Sequence, residues 1–277
     1  DPITAPVVKE VLGPDAESVA LAWRFPGLAS KDFEVLQVVS QVLYNGKAGL
    51  IDLDLNQQQK VLNSYGYPMG LADYSAFILG GLPKQGQTLE EVKDLLLNEI
   101  KKLRAGEFDE KMLQANINNF KLYELQSMES NEGRADIFVN SFINGTNWED
   151  EVTAIDRMAK LTKEDIVAFA DKYLKEDNYA VVYKKQGKDP NEKKMTKPEI
   201  TPIVSNRDVA SPFLTSIQEN AVKPIEPVFL DFKKDMSQLT AKSDIPVLYK
   251  QNTTNDLFQL IYVFDMGNNN DKALGTA

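Results

Sequence analysis

The sequence predicts a two-layer α+β domain in which an antiparallel or mixed sheet carries helices on one face. Three observations predict this fold class: a strand-like alternation at residues 18–25, two extended segments between residues 61 and 80, and a run of helices from Thr88 that ends in one strand. Helices that return into a strand must cover one face of a sheet, and consecutive extended segments favour antiparallel pairing. A doubly wound sheet is disfavoured because strands and helices do not alternate regularly.

The first elements are an extended entry, a strand and a helix. Residues 7–13 are predicted to be extended, and residues 18–25 place apolar side chains at every second position, which is typical of a half-buried strand. Ser30 is the expected N-cap of a helix that continues to Leu43, because a serine hydroxyl can accept a hydrogen bond from a first-turn N–H group. The Asn45-Gly46 pair then ends this helix.

The middle of the domain is predicted to contain a short amphipathic helix at residues 50–55 and two strands at residues 61–69 and 72–80. The helical block follows, and its first helix opens with a capping box formed by Thr88 and Glu91. The buried stripe of that helix is predicted to contain Leu89, Val92, Leu96, Ile100 and Leu103.

The rest of the helical block has similar start signals. Gly106 is expected to end the first helix, and Asp109 is expected to cap the second, which carries apolar side chains at helical spacing. Thr162, followed by Asp165, is expected to open the last helix. Residues 178–183 change from helical period to strand period, so the domain is predicted to close with a strand.

Domain organisation is predicted from changes in composition. Residues 1–185 form the predicted α+β domain, and residues 186–243 form a proline-rich linker, since six of the thirteen prolines lie between residues 186 and 240. Residues 244–277 are predicted to be the start of a following repeat domain. The chain is expected to be an internal piece of a longer polypeptide.

The predicted start of this following domain consists of two strands and a helix. Residues 245–250 and 257–265 are the predicted strands, and residues 272–277 are the predicted first turns of the helix. About thirty residues cannot bury a core of their own. We therefore expect this segment to lean on the first domain or to be poorly ordered.

Composition excludes several classes of function. A net charge of −10 argues against binding of nucleic acid, which needs clustered Lys and Arg, and against docking on an anionic membrane. No apolar run reaches membrane-spanning length, so no membrane insertion is expected. The chain contains no Cys and no His. This excludes disulfides, thiol nucleophiles, His-containing zinc sites and the Ser-His-Asp triad.

Four segments occur in an order and spacing that resemble a known family. They are residues 81–92 (GLPKQGQTLEEV), 103–110 (LRAGEFDE), 161–174 (LTKEDIVAFADKYL) and 177–183 (DNYAVVY). This arrangement is similar to that of the insulinase/pitrilysin-type zinc metallopeptidases, the inverzincins. With the strand at residues 18–25 and the helix that follows it, the resemblance covers most of residues 1–185.

The resemblance implies a fold and a division of labour. Members of the family are built from repeated α+β domains with a mitochondrial processing peptidase-like fold, paired into two halves around a chamber for flexible peptides. Their catalytic HxxEH motif, with a downstream Glu, lies on the first domain only and holds Zn²⁺. Because this sequence has no His, it resembles the second, non-catalytic domain, followed by the linker and the opening of the third. No catalytic, cofactor-binding or metal-binding residue is therefore assigned, and zinc is expected only in an upstream catalytic domain.

Two groups of acidic residues have the composition of candidate sites. Asp52, Asp54 and Asn56 superficially open a calcium loop, but Gln57 and Asn63 stand where that loop needs Gly and Glu, so solvated carboxylates on a helical turn are the favoured interpretation. Carboxylate pairs such as Glu90-Glu91, Asp109-Glu110 and Glu149-Asp150-Glu151 fall in first helical turns, where the helix dipole favours them.

The aromatic segment at residues 63–80 carries the remaining functional hypothesis. In the resembling family such a surface can line the chamber, where an extended peptide adds to a strand edge. The competing interpretation, which is preferred, is that Tyr65, Tyr67, Tyr74 and Phe77 pack beneath the helices.

The predicted function is therefore that of a non-catalytic domain of a zinc metallopeptidase. It would form a wall of the peptide-binding chamber and help to position peptide for hydrolysis at an upstream zinc site. The expected partners are a peptide or unfolded protein substrate and other domains of the same polypeptide. Two alternatives remain: an inactive scaffolding relative that binds a protein partner, and an unrelated α+β binding module. The expected compartment is a bacterial periplasm or cell envelope.

Overall fold

The computed structural model describes residues 3–188, 196–203, 205–265 and 267. The chain divides into two compact units, Asp1–Met195 and Thr196–Ala277. The first unit has the predicted two-layer α+β fold, with a mixed sheet and helices on one face. The finer division at residues 185 and 243 stays a prediction.

Five strands form the sheet of the first unit: β1 (Val7–Gly13), β2 (Ser18–Pro26), β3 (Asn63–Met69), β4 (Tyr74–Leu82) and β5 (Tyr179–Gln186). Their order across the sheet is β1-β5-β2-β4-β3. The β5–β2, β2–β4 and β4–β3 pairs are antiparallel, whereas β1 runs parallel to β5. The sheet is therefore mixed, and β1 and β3 are its edge strands.

The described helices of this unit are α1 (Lys31–Leu43), α2 (Leu89–Arg104), α3 (Lys111–Ser127), α4 (Asn131–Asn144), α5 (Trp148–Val152), α6 (Ala154–Met158) and α7 (Lys163–Tyr173). The predicted helix at residues 50–55 is present as a helical turn that continues into a π-helix, Asp52–Asn56. The expected Ser30 cap is confirmed, because its hydroxyl accepts a hydrogen bond from the backbone N–H of Phe33.

The start signals of the later helices are confirmed with one shift. Thr88 forms its reciprocal capping box at the start of α2, and Thr162 forms another with Asp165 at the start of α7. The N-cap position of α3 is Glu110 and not Asp109. Asp109 still binds the helix start, since its carboxylate accepts a hydrogen bond from Lys111 N at 2.9 Å.

The core lies between the helices and one face of the sheet. Alternation along β2 buries four side chains on this face, and the predicted stripe of α2 is buried opposite them: Val19, Leu21, Trp23 and Phe25 face Leu89, Val92, Leu96, Ile100 and Leu103. Trp23 also donates a hydrogen bond from Nε1 to the carbonyl oxygen of Lys175, 3.1 Å away. This bond ties the middle of the sheet to the loop that follows α7.

Strand β1 was predicted only as an extended entry. It pairs with β5, with Val7 opposite Ala180 and Gly13 opposite Gln186. Local sequence gives no sign of this pairing, because the partner strand lies about 170 residues later in the chain.

The second unit contains little regular structure among its described residues. Its elements are α8 (Pro212–Gln218), β6 (Ser237–Thr240), a 3₁₀ turn (Lys242–Asp244) and β7 (Pro246–Tyr249). The predicted strand at residues 245–250 is present as β7, and it pairs with β6 in a separate two-stranded sheet. No described residue of this unit is buried. An unrelated α+β binding module would be favoured if residues 244–277 folded into the sheet of the first domain, and the pairing of β7 with β6 does not favour that alternative.

The prediction of a second tail strand at residues 257–265 is wrong. These residues have no regular structure. A strand is stable only where a neighbouring strand accepts and donates its backbone hydrogen bonds, and no described strand lies beside this segment. The predicted helix at residues 272–277 lies outside the described residues.

The thickness of a lipid bilayer sets the length and apolar character that a membrane-spanning helix needs. Within residues 3–188 and the described parts of the second unit, no helix combines the length and the apolar character needed to cross a membrane.

Candidate peptide-binding surfaces

The face of the sheet opposite the helices is lined by small and aromatic side chains. Ala20 and Ala22 of β2 lie beside Gly80 and Ile78 of β4 on this face. Tyr65 of β3 packs over Gly80, since a Cβ atom added to that glycine would lie 2.3 Å from the tyrosine ring. The result is a shallow apolar surface in the middle of the sheet.

The aromatic segment at residues 63–80 is divided between the two faces. Tyr65 and Tyr67 stack with ring centroids 6.1 Å apart on the face opposite the helices, where Tyr74 also lies. Phe77 points to the other face and is fully buried. The preferred interpretation, that all four pack beneath the helices, is therefore right for Phe77 and wrong for the three tyrosines. Strand alternation explains the difference, because Phe77 has the opposite orientation.

A cleft of about 550 Å³ lies at the end of β2 and β4. Its lining includes Arg24, Asp73 and Tyr74. The Arg24 guanidinium carbon lies 5.1 Å from the centroid of the Tyr74 ring, a cation–π distance. The cleft extends the tyrosine-lined face toward a charged end.

The free edge of β3 is largely closed. The Asn56 side chain binds Ser64 in the way a neighbouring strand would: Ser64 N donates to Asn56 Oδ1 and Asn56 Nδ2 donates to Ser64 O, both at 2.8 Å. Backbone groups point to alternate sides along a strand, so in the rest of β3 only Gly66 and Pro68 share the outward direction of Ser64. Proline has no N–H group to donate. The edge therefore offers a peptide one donor.

Substituting Asn56 by Ala is expected to destabilise the first unit by about 1–3 kcal/mol, because the part-buried N–H and C=O groups of Ser64 lose their partners. Asn56→Asp should restore only the acceptor, so its loss should be intermediate. Urea unfolding followed by circular dichroism measures both. Equal stability of the wild type and Asn56→Ala would show that water replaces the amide.

The free edge of β1 is more open. Gly187 N donates to Gly13 O at 2.9 Å, which places the backbone groups of Gly13 and of alternate residues before it toward β5. The N–H and C=O groups of Val8, Glu10 and Leu12 therefore point away from the sheet. None of them has a backbone partner among the described residues, and the strand contains no proline. This edge presents three donors and three acceptors.

The residues of the superficial calcium loop are used inside the fold. The Asp52 carboxylate is buried and accepts hydrogen bonds from Asn45 N and Gly49 N at 2.9 and 3.0 Å. Asp54 pairs with Lys102 at 2.5 Å. The Lys102 hydrogen bond keeps the pKa of Asp54 below its ordinary value. The Asp52 carboxylate therefore stabilises the turn that follows α1, and Asp54 links the π-helix to α2.

The carboxylates in first helical turns also have structural partners. The Glu91 carboxylate accepts a hydrogen bond from Thr88 N at 2.8 Å, which lowers the pKa of Glu91. The Glu90 carboxylate binds Lys93 and raises the pKa of that ammonium. Asp150 pairs with Lys31.

Zinc does not fit the donor set of this chain. The sequence supplies neither His nor Cys, and within residues 3–188 and the described part of the second unit no three Asp or Glu side chains are grouped to hold an ion. Zinc sites in proteins usually combine three or four such ligands. The fold and these side chains define an α+β domain without the zinc-peptidase donor set.

Comparison with known proteins gives the family of this domain. Residues 1–120 match the family model described as the peptidase M16 inactive domain. A curated relative, the zinc protease PqqE of Helicobacter pylori, is 28% identical over 187 residues, which are 66% of this chain and 40% of the relative. These matches confirm the resemblance to the zinc metallopeptidase family and place the similarity in its inactive domain.

Solved structures share the fold. A protease from Helicobacter pylori aligns with a TM-score of 0.63 and 21% identity over 67% of this chain and 45% of its own. The inactive peptidase domain of a proposed zinc protease from Bordetella parapertussis aligns with a TM-score of 0.55 and 17% identity over 62% of this chain and 93% of its own. The chain therefore spans less than half the length of the Helicobacter relatives and matches nearly all of the isolated Bordetella domain.

Proposed function

We propose that this chain is a non-catalytic peptidase domain that forms one wall of a peptide-binding chamber and positions an extended peptide for hydrolysis at a zinc site on another domain. The observation that carries the proposal is the open edge of β1, where the backbone groups of Val8, Glu10 and Leu12 point outward and have no backbone partner among the described residues. An extended peptide can add to such an edge as a further strand.

Side chains on β1 suit a peptide that is extended and partly apolar. Val8 and Leu12 flank Glu10 on one side of the strand, and both are exposed. A peptide strand added to this edge would place alternate side chains beside them, which buries apolar surface along with the backbone pairing. The match to an M16 inactive domain supports a role beside a peptidase site on another domain, since this chain contains neither His nor Cys to bind zinc.

Replacing Glu10 by Pro tests the role of the β1 edge. Proline removes the outward N–H group of residue 10 and leaves the groups that face β5 in place, so the affinity for an extended peptide should fall by about fivefold, the equivalent of one backbone hydrogen bond. Fluorescence anisotropy with a labelled, unstructured twelve-residue Val/Thr peptide measures the change on the whole 277-residue chain.

The matched control is Glu10→Gln, which keeps the N–H group and removes only the exposed ion pair with Lys185. This variant should bind like the wild type. Equal losses in the two variants would assign the effect to the side chain and remove the case for strand addition. Unchanged affinity in both variants would show that the peptide binds elsewhere and not at the β1 edge.

A scaffolding role without proteolysis is the second candidate. It is supported by the fold likeness to a chain of complex III from Candida albicans, which aligns with a TM-score of 0.53 at 10% identity. The two candidates differ in the longer protein that would contain this domain. One zinc per chain together with chelator-sensitive peptide cleavage would support the peptidase role. A longer protein that binds no zinc and cleaves no peptide would support the scaffolding role.

A further inference from the structure

Helix α4 has an unusual distribution of side chains. The buried and half-buried residues of the helix share one side, which consists of Gly133, Ile137, Ser141 and Asn144. Four large apolar residues lie on the other side: Phe138, Val139, Phe142 and Ile143 are all exposed, and Phe142 is 88% exposed. An amphipathic helix of a folded domain normally turns its apolar side inward.

The exposed residues form one continuous stripe. At about 100° per residue, positions 138, 139, 142 and 143 fall within an arc of roughly 140°, so they share one side over more than one turn. Trp148 of α5 extends the stripe, because its ring stacks on Phe138 with centroids 4.4 Å apart. Exposed apolar patches of this kind are typical of surfaces that bind another protein.

The surroundings of the stripe are strongly acidic. Residues 121–151 contain seven carboxylates and two cationic side chains. Glu132 and Asp136 lie one turn apart on α4, beside the edge of the stripe formed by Val139. Partial desolvation, together with the nearby carboxylates of Asp156 and Glu151, raises the pKa of Glu124 on α3. The region therefore concentrates negative charge.

These charges decide which occupant the stripe can accept. A second copy of the chain would bring a like-charged rim against this one, which disfavours association. An anionic lipid surface is disfavoured for the same reason. A helical partner fits the geometry because the stripe runs lengthwise along α4, and cationic residues on that partner would complement the rim.

We propose that the α4 stripe docks a basic amphipathic helix of a partner protein, with the Lys or Arg side chains of that helix beside Glu132 and Asp136. This surface is separate from the β1 edge, and the inference does not depend on the proposed peptide-positioning role.

The test uses the whole 277-residue chain and three labelled eighteen-residue peptides. The first has Leu at helical spacing with Lys elsewhere, the second has the same Leu positions with Glu elsewhere, and the third is a scrambled version of the first. Anisotropy should show the Leu/Lys helix binding at least about tenfold more tightly than the other two, a difference of about 1.4 kcal/mol. Added salt should weaken this binding.

Two variants locate the binding site. Phe142→Gln with Ile143→Gln should reduce affinity for the Leu/Lys peptide about tenfold or more, because exposed side chains are changed without loss of the fold. Glu132→Lys with Asp136→Lys should reduce both the affinity and its salt dependence. The matched control is Leu62→Gln with Leu71→Gln, two exposed apolar positions elsewhere, which should leave the affinity unchanged.

Three results would overturn the inference. Equal binding of the Leu/Lys and Leu/Glu helices would exclude selection by charge. Unchanged binding after the Phe142 and Ile143 substitutions would place the peptide elsewhere. Sedimentation of the wild type as a dimer that the same substitutions dissociate would show that the stripe is occupied by a second copy of the chain.

Discussion

Substituting Lys102 by Met is expected to destabilise the first unit by about 3 kcal/mol. Lys102 Nζ lies 2.9 Å from Glu99 Oε1 and 2.5 Å from Asp54 Oδ2. Because Glu99 is only 1% exposed, bulk water cannot replace the Lys102 ammonium group as the partner of its carboxylate. Removing one partner of a buried pair typically costs about 3–5 kcal/mol, and the lower value is expected here because Lys102 itself is partly exposed.

The loss in Lys102→Met should depend on pH. Burial raises the pKa of Glu99, so the folded state binds this proton more tightly than the unfolded state. The contribution of such a group to stability falls as the pH rises from its unfolded to its folded pKa. Loss of Lys102 raises the pKa of Glu99 further. The difference in free energy of unfolding between the wild type and Lys102→Met should therefore be largest near neutral pH and should shrink as the pH falls toward about 4–5.

Urea unfolding at several pH values measures this effect. The matched control is Lys101→Met, since that ammonium is exposed and lies 3.7 Å from an exposed Glu176 carboxylate; little change is expected. The double variant Glu99→Met/Lys102→Met should recover most of the loss, because it leaves no buried unpaired charge. Failure of the double variant to recover would mean that packing of the Lys102 side chain, and not charge, is responsible.

Substituting Trp23 by Ala is expected to cost about 3–5 kcal/mol, the range for loss of a fully buried aromatic side chain. Trp23 lies on the buried face of β2, with its ring 5.3 Å from that of Tyr179. The substitution leaves a cavity in the centre of the sheet. It also leaves the Lys175 carbonyl oxygen without the indole N–H donor. Trp23→Phe should cost less, since it fills most of the cavity and loses mainly this hydrogen bond.

The chain contains two tryptophans, so unfolding can be followed by tryptophan fluorescence, and removal of one ring leaves the emission of the other. Trp148→Ala is the matched control. The Trp148 side chain on α5 is exposed, so its loss should change stability little. In Trp148→Ala, the remaining emission reports only Trp23 and should shift to longer wavelength on unfolding. Similar losses of stability in the two alanine variants would contradict the assignment of Trp23 to the core.

The sequence was informative where structure is set by local pattern. The alternation in β2, the stripe of α2 and the caps at Ser30, Thr88 and Thr162 were all predicted and confirmed, because each depends on residues a few positions apart. The period of the last strand was also sufficient to place β5. These elements, taken in order, were enough to predict a two-layer α+β fold.

The features that were missed depend on distant residues. The pairing of β1 with β5 cannot be read from either segment alone. The closure of the β3 edge depends on one amide, Asn56, meeting Ser64 across a turn. The placement of three tyrosines on the face opposite the helices could be predicted only from the strand register. A one-residue shift in that register would move these side chains to the other face. The unpaired edge and the apolar side of α4 became visible only once the other elements had been placed.

The position of β5 in the sheet has a consequence for synthesis of the protein. Among the described strands of the first unit this one comes last in the chain, yet it lies between β1 and β2. A nascent chain can pair β2, β4 and β3 once residue 82 has left the ribosome, but one edge of β2 stays open until residues 179–186 follow. At ~5–20 residues per second this interval lasts on the order of 10 s. Chaperone protection during that interval should determine the yield of folded protein, and fragments that end before residue 179 should aggregate.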